Sequence, residues 1–119
     1  NGASPLWRAA GNNDVAVARL LLENGAEVNK ADDFGCSPLY FASQEGHVDV
    51  AQLLIARGAN VNQATNAGEA PILTASARGH VDIARLLLEN GARVNQTTNA
   101  GVSPLYIASH EGHVDVARL

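Results

Sequence analysis

Gly35-Cys36-Ser37-Pro38-Leu39-Tyr40-Phe41-Ala42-Ser43-Gln44-Glu45-Gly46-His47 opens a unit that closes with Leu53-Leu54-Ile55-Ala56-Arg57-Gly58-Ala59-Asn60-Val61-Asn62. Ser37 has the side chain of a helix N-cap, and Pro38 suits the first helical position, where an amide donor is not needed. Leu39 to Glu45 therefore reads as a short helix, ended at Gly46. A second helix is expected from about His47 to Arg57. Val48, Val50, Ala51, Leu53, Leu54 and Ile55 give it a broad apolar face, and Asp49 places negative charge in its first turn. Gly58 fits a left-handed cap. The polar stretch 59–67 should then loop out as a hairpin or finger. Neither helix is long enough to be stable alone in water, so each must gain stability by packing.

The same unit recurs along the chain every 33 residues. Residues 68–100 match 35–67 at 19 of 33 positions without a gap, and residues 101–119 match 35–53 at 15 of 19. A fixed period of this length marks stacked supersecondary units, each touching only its neighbours. The fold class expected is an all-α repeat solenoid of helix-turn-helix units with projecting β-hairpin or loop fingers. It would form a single domain over residues 1–119, with repeats at about 2–34, 35–67, 68–100 and a truncated 101–119. Eight helical segments are expected, with loops near residues 26–34, 59–67 and 92–100. Such a stack has a long surface and no central cleft, which favours binding over catalysis.

Composition narrows the function further. Formal net charge is −4, from eight basic and twelve acidic residues. Without a basic stripe, nucleic acid is not an expected partner. The longest apolar runs, such as Leu20-Leu21-Leu22, fall far short of the roughly 18 residues of a membrane span. Cys36 is the lone cysteine and cannot form an internal disulfide, which suits an intracellular, cytoplasmic setting.

The units depart from one another in informative ways. Ala70 stands where the capping serine is expected and should weaken its helix. Asp82, Arg85 and Glu89 lie at i, i+3 and i+7, where they are expected to form an ion ladder on a solvent face. Arg8 occupies the position of Phe41, Thr74 and Ile107, while Asn13 and Asp14 replace the repeated Gly-His. That pattern suggests an N-terminal capping unit; the other reading is a lost earlier repeat.

The motif resembles the ankyrin repeat. Gly35-Cys36-Ser37-Pro38-Leu39-Tyr40-Phe41-Ala42, Gly46-His47, Leu53-Leu54 and Gly58-Ala59-Asn60-Val61-Asn62 follow that family's signature. The signature threonine is serine or alanine here. The signature histidine is Trp7, Tyr40, Leu73 and Tyr106, so packing of larger rings should partly replace its inter-repeat bonds. The resemblance implies L-shaped units in a curved solenoid, with protein partners held at the finger tips and the concave face of the first helices. Carried onto this chain, the fingers are residues 30–36, 63–69 and 96–102.

The protein-binding residues expected on that basis are Asp33, Phe34, Gln44, Glu45, Asn66, Glu69, Ala77, Arg78, Asn99, Val102, His110 and Glu111. Phe34 is singled out because it fills a slot held by Ala67 and Ala100 elsewhere, with no stacking demand behind it. Packing against the neighbouring finger is its alternative role. Tyr40 and Tyr106 are assigned to packing. By the same resemblance, His47, His80 and His113 bond within the turn, and Asn29, Asn62 and Asn95 within the hairpin base.

Catalysis and cofactors are not expected. The repeated histidines lie about one helix spacing apart, roughly 8–10 Å, whereas zinc needs its ligands at about 2 Å. His110-Glu111-Gly112-His113 lacks the i, i+4 spacing of a metalloprotease helix. No metal, cofactor or catalytic residue is assigned. The function expected is a non-catalytic protein–protein interaction scaffold. It would be monomeric, with the truncated C-terminal end open to end-to-end contacts. Alternatives are an engineered or idealised repeat protein without a native partner, and a targeting domain excised from a larger enzyme.

Overall fold

A computed structural model describes residues 4–94. Six helices occur among them, in three pairs: α1 (Pro5–Gly11) with α2 (Val15–Glu23), α3 (Pro38–Glu45) with α4 (Val48–Ala56), and α5 (Pro71–Arg78) with α6 (Val81–Glu89). No strand is present among the described residues. The two remaining helices expected from the repeat lie outside them, as does most of the loop expected near 92–100.

Each pair is started and stopped by local chemistry. Ser4 and Ser37 accept hydrogen bonds from the amides of Trp7 and Tyr40, both at 3.1 Å, and proline follows each cap. Ala70 has the same extended backbone but offers no cap bond, as its sequence implies. Ala70→Ser is expected to add about 1 kcal/mol, because the buried Ser37 shows that the hydroxyl fits and finds its donor. Thermal unfolding should show a midpoint raised by roughly 4 °C; no rise would mean that the cap is not what limits α5.

The turn inside each pair needs a left-handed residue. Gly46 and Gly79 supply it at φ 76° and 72°. In unit one Asn13 takes the same conformation at φ 54°, which asparagine tolerates better than other residues with a Cβ.

The pairs stack in two layers. Helices α1, α3 and α5 pack side by side in one, and α2, α4 and α6 in the other. Their shared core runs from Leu6 and Ala10 through Leu39, Val50, Ala51 and Leu54 to Ile72, Ile83 and Leu87. Small residues at Ala9, Ala42 and Ala75 let the helices approach closely, and all three are buried. Gly11 serves the same purpose between units. A Cβ there would meet the Phe41 ring, which lies directly over it.

The expected ion ladder is shorter than the sequence suggests. Among the described residues, Arg85 pairs with Asp82 at 3.6 Å, both side chains more than half exposed, and Glu89 does not join them. Such an exposed pair contributes little, since water screens it and two long side chains must be held still.

Candidate functional site

The fingers are held by side chains that imitate backbone. In the first, the Asp32 carboxylate accepts from the amides of Phe34 at 3.0 Å and Cys36 at 2.9 Å. The Gly35 amide closes the turn onto the Asp32 carbonyl. In the second finger, Thr65 takes the place of Asp32. Its hydroxyl accepts from Ala67 and Glu69, and Gly68 closes the turn. Aspartate and threonine both favour this local bonding, so two different sequences produce one turn.

The two tips are tied to each other. The Asn66 amide donates to the Phe34 carbonyl at 3.0 Å, and its side-chain amide donates to the Asp33 carbonyl at 3.0 Å. A Cβ at Gly35 would lie 2.5 Å from the Asn66 side chain, so glycine is required there for close approach as well as for its φ of 81°. The Phe34 backbone is thus fixed while its ring stays 69% exposed. The alternative role of Phe34, packing against the neighbouring finger, is not what the structure shows.

The other expected site residues fall along the same side. Asp33 and Asn66 are exposed at the tips, and Glu69 is half-buried at the base of the second finger. Gln44 and Glu45 end α3, and Ala77 and Arg78 end α5; Glu45 and Arg78 are exposed, Gln44 and Ala77 half-buried. Asn99, Val102, His110 and Glu111 lie outside the described residues.

The histidines and asparagines do not act as the resemblance implies. His47 reaches back to the preceding unit, with Nε2 3.0 Å from the Gly11 carbonyl, and His80 does the same to Gln44 at 3.1 Å. A carbonyl only accepts, so Nε2 carries the proton in both. These bonds join units instead of closing a turn. Asn29 likewise bonds forward: its side-chain oxygen accepts from the Asn60 amide at 2.8 Å, and its nitrogen faces the Gly58 carbonyl. Asn62 repeats the clamp on Arg93 and Gly91.

The residues at the signature-histidine position keep hydrogen bonds as well as packing. Trp7 donates from Nε1 to the Cys36 carbonyl at 3.0 Å and stacks on Phe41 with ring centroids 4.0 Å apart. Tyr40 is buried and its hydroxyl points at Glu69, 3.4 Å away. Burial, then the nearby Glu69 carboxylate, pushes the Tyr40 phenol up to about 12, so it stays a neutral donor. Burial also raises the Cys36 thiol, helped by Asp32 and Glu69, which leaves it a poor nucleophile.

Sequence reasoning missed two features on this side. The half-buried Trp7–Phe41 stack and the exposed Arg8 lie on the first-helix layer, beside the first finger. The available signal was the aromatic pair at adjacent repeat positions in neighbouring units, 7 and 41 less one period.

Among the described residues, no group of histidine, cysteine and carboxylate side chains could hold a metal. No helix among them is long and apolar enough to cross a membrane.

Comparison with known families agrees with the stacked pairs. A family described as "Ankyrin repeats (3 copies)" matches residues 1–65, and "Ankyrin repeats (many copies)" matches residues 72–119. Comparison with individual curated proteins gives no match. Ankyrin repeats are in general protein–protein interaction modules, and the family is typically non-catalytic. With the family's models matching both halves of a 33-residue period, and helix pairs stacked in two layers, the chain belongs to the ankyrin-repeat family.

Proposed function

We propose that this chain, residues 1–119 acting as one domain, is a non-catalytic scaffold that recognises a protein partner. The partner lies across the finger tips and the exposed ends of the first helices. Asp33, Phe34, Asn66 and Glu69 contribute from the fingers, and Gln44, Glu45, Ala77 and Arg78 from the helix ends. Asn99, Val102, His110 and Glu111 continue the series in the fourth unit.

The observation that carries this reading is Phe34, an aromatic ring 69% exposed on a backbone fixed by Asp32 and Asn66. An exposed aromatic on a rigid support binds with little loss of conformational entropy. The carboxylates of Asp33, Glu45 and Glu69 favour a partner with basic residues, mainly by steering its approach. Net charge of −4 disfavours nucleic acid. The chain acts as a monomer in an intracellular, cytoplasmic setting, where the half-buried Cys36 stays reduced.

Amide exchange with and without a partner recovered by affinity capture tests the assignment. Protection is expected at residues 30–36 and 63–69 and at the C-terminal ends of α3 and α5. Protection centred on Asp82–Glu89 would place the partner on the second-helix layer and refute it.

A further inference from the structure

The N-terminal face of unit one has the composition of an interior surface, yet it lies open. The repeat provides an internal control, because the same positions can be compared in three units. Val17 is 43% exposed, whereas Val50 and Ile83, its counterparts, are fully buried. Leu20 is 59% exposed, while Leu53 and Leu86 are half-buried. Leu21 is half-buried against fully buried Leu54 and Leu87, and Pro5 is exposed against buried Pro38 and Pro71. Between the two helices, Pro5, Leu6, Leu21, Ala26, Glu27 and Lys30 line an open groove of about 280 Å³. A capping unit presents a polar outer face. Arg8 and Asp14 fit that description, but Val17, Leu20 and Pro5 do not.

The hydrogen-bonding groups of this face are open too. Asn29 and Asn62 each clamp the next unit by its glycine carbonyl and by the amide two residues on, at Gly58 with Asn60 and at Gly91 with Arg93. One period earlier, the matching groups are the Gly25 carbonyl and the Glu27 amide. No described residue engages either of them.

We propose that this face is a stacking surface. Its occupant is a further helix pair of the same repeat type, held in series with unit one as unit one is held on unit two. The apolar positions and the two halves of the asparagine clamp that such a pair requires are all in place. One link would be absent, since Asp14 stands where His47 and His80 reach back to a carbonyl. The contact would therefore rest on Val17, Leu20, Leu21 and Pro5, with the clamp on Gly25 and Glu27.

The test is to place residues 35–67 directly before Gly2, which keeps the period. The extended protein should melt about 5 °C or more above the original, and amide exchange across α2 should slow by roughly tenfold or more. Leu20→Glu should remove most of that gain while shifting the original chain little, because Leu20 is largely exposed there. Alanine in place of Asn62 in the added unit should remove part of it. An unchanged midpoint and unchanged exchange in α2, or a gain that survives Leu20→Glu, would overturn the proposal. So would self-association of the original chain that Leu20→Glu abolishes, which would make a second copy the occupant.

Discussion

Leu54→Ala is expected to cost about 3 kcal/mol, a large share of the stability of a domain this size. Leu54 is fully buried in α4, a helix packed against α2, α3 and α6. Removing its side chain leaves a cavity at the junction of three units, and the flanking helices cannot collapse into it without breaking register. The same substitution at Leu21, its counterpart in unit one, should cost roughly half as much, because that side chain is covered on one side only. Urea unfolding of the two variants measures both effects. Equal losses would mean that position in the repeat, and not cover by neighbours, sets the energy. The loss at Leu54 should also spread, since each unit is stable only through its neighbours.

That contrast explains which parts of the fold were legible in the sequence. Helix starts and stops are local events. Ser37-Pro38 and Gly46 need no distant partner to act, and the structure has them where the pattern places them. The links between units are different in kind. His47 meets Gly11, and Asn29 meets Asn60, across 36 and 31 residues. Those contacts depend on the rise and rotation from one unit to the next, which a repeat pattern does not encode residue by residue. Each was therefore assigned to its own turn or hairpin when it belongs to the neighbour. Trp7 shows the reverse error. Its ring was expected to replace a hydrogen bond by packing, but indole carries a donor, and Nε1 finds the Cys36 carbonyl.

The candidate site was legible for a related reason. A position that varies while its neighbours repeat is one that stacking does not constrain. Phe34 was found by that argument, and its ring is exposed. The argument is blind to positions doing two jobs. Gln44 varies between units, yet its carbonyl holds His80, and Asn66 varies less than its role as the tie between finger tips would warrant.

Phe34→Ala is expected to weaken partner binding by about 2 kcal/mol, roughly 30-fold, with little change in stability. Both halves follow from the same geometry. The ring is 69% exposed, so its loss opens no cavity in the free protein. The backbone bonds that hold the tip, from Asp32 and Asn66, involve main-chain atoms that alanine retains. What alanine cannot supply is the apolar area a partner would desolvate. Arg85→Ala is the control, on the second-helix layer. Its pair with Asp82 is exposed and screened, so both binding and melting should stay close to the original. Titration calorimetry on both variants, after matching their melting temperatures, separates recognition from folding. A larger loss of affinity at Arg85 than at Phe34 would move the partner to the second-helix layer. A loss at Phe34 accompanied by a lower melting temperature would instead show that the ring supports the finger, and that the anchor lies elsewhere, with the Trp7–Phe41 stack the next surface to test.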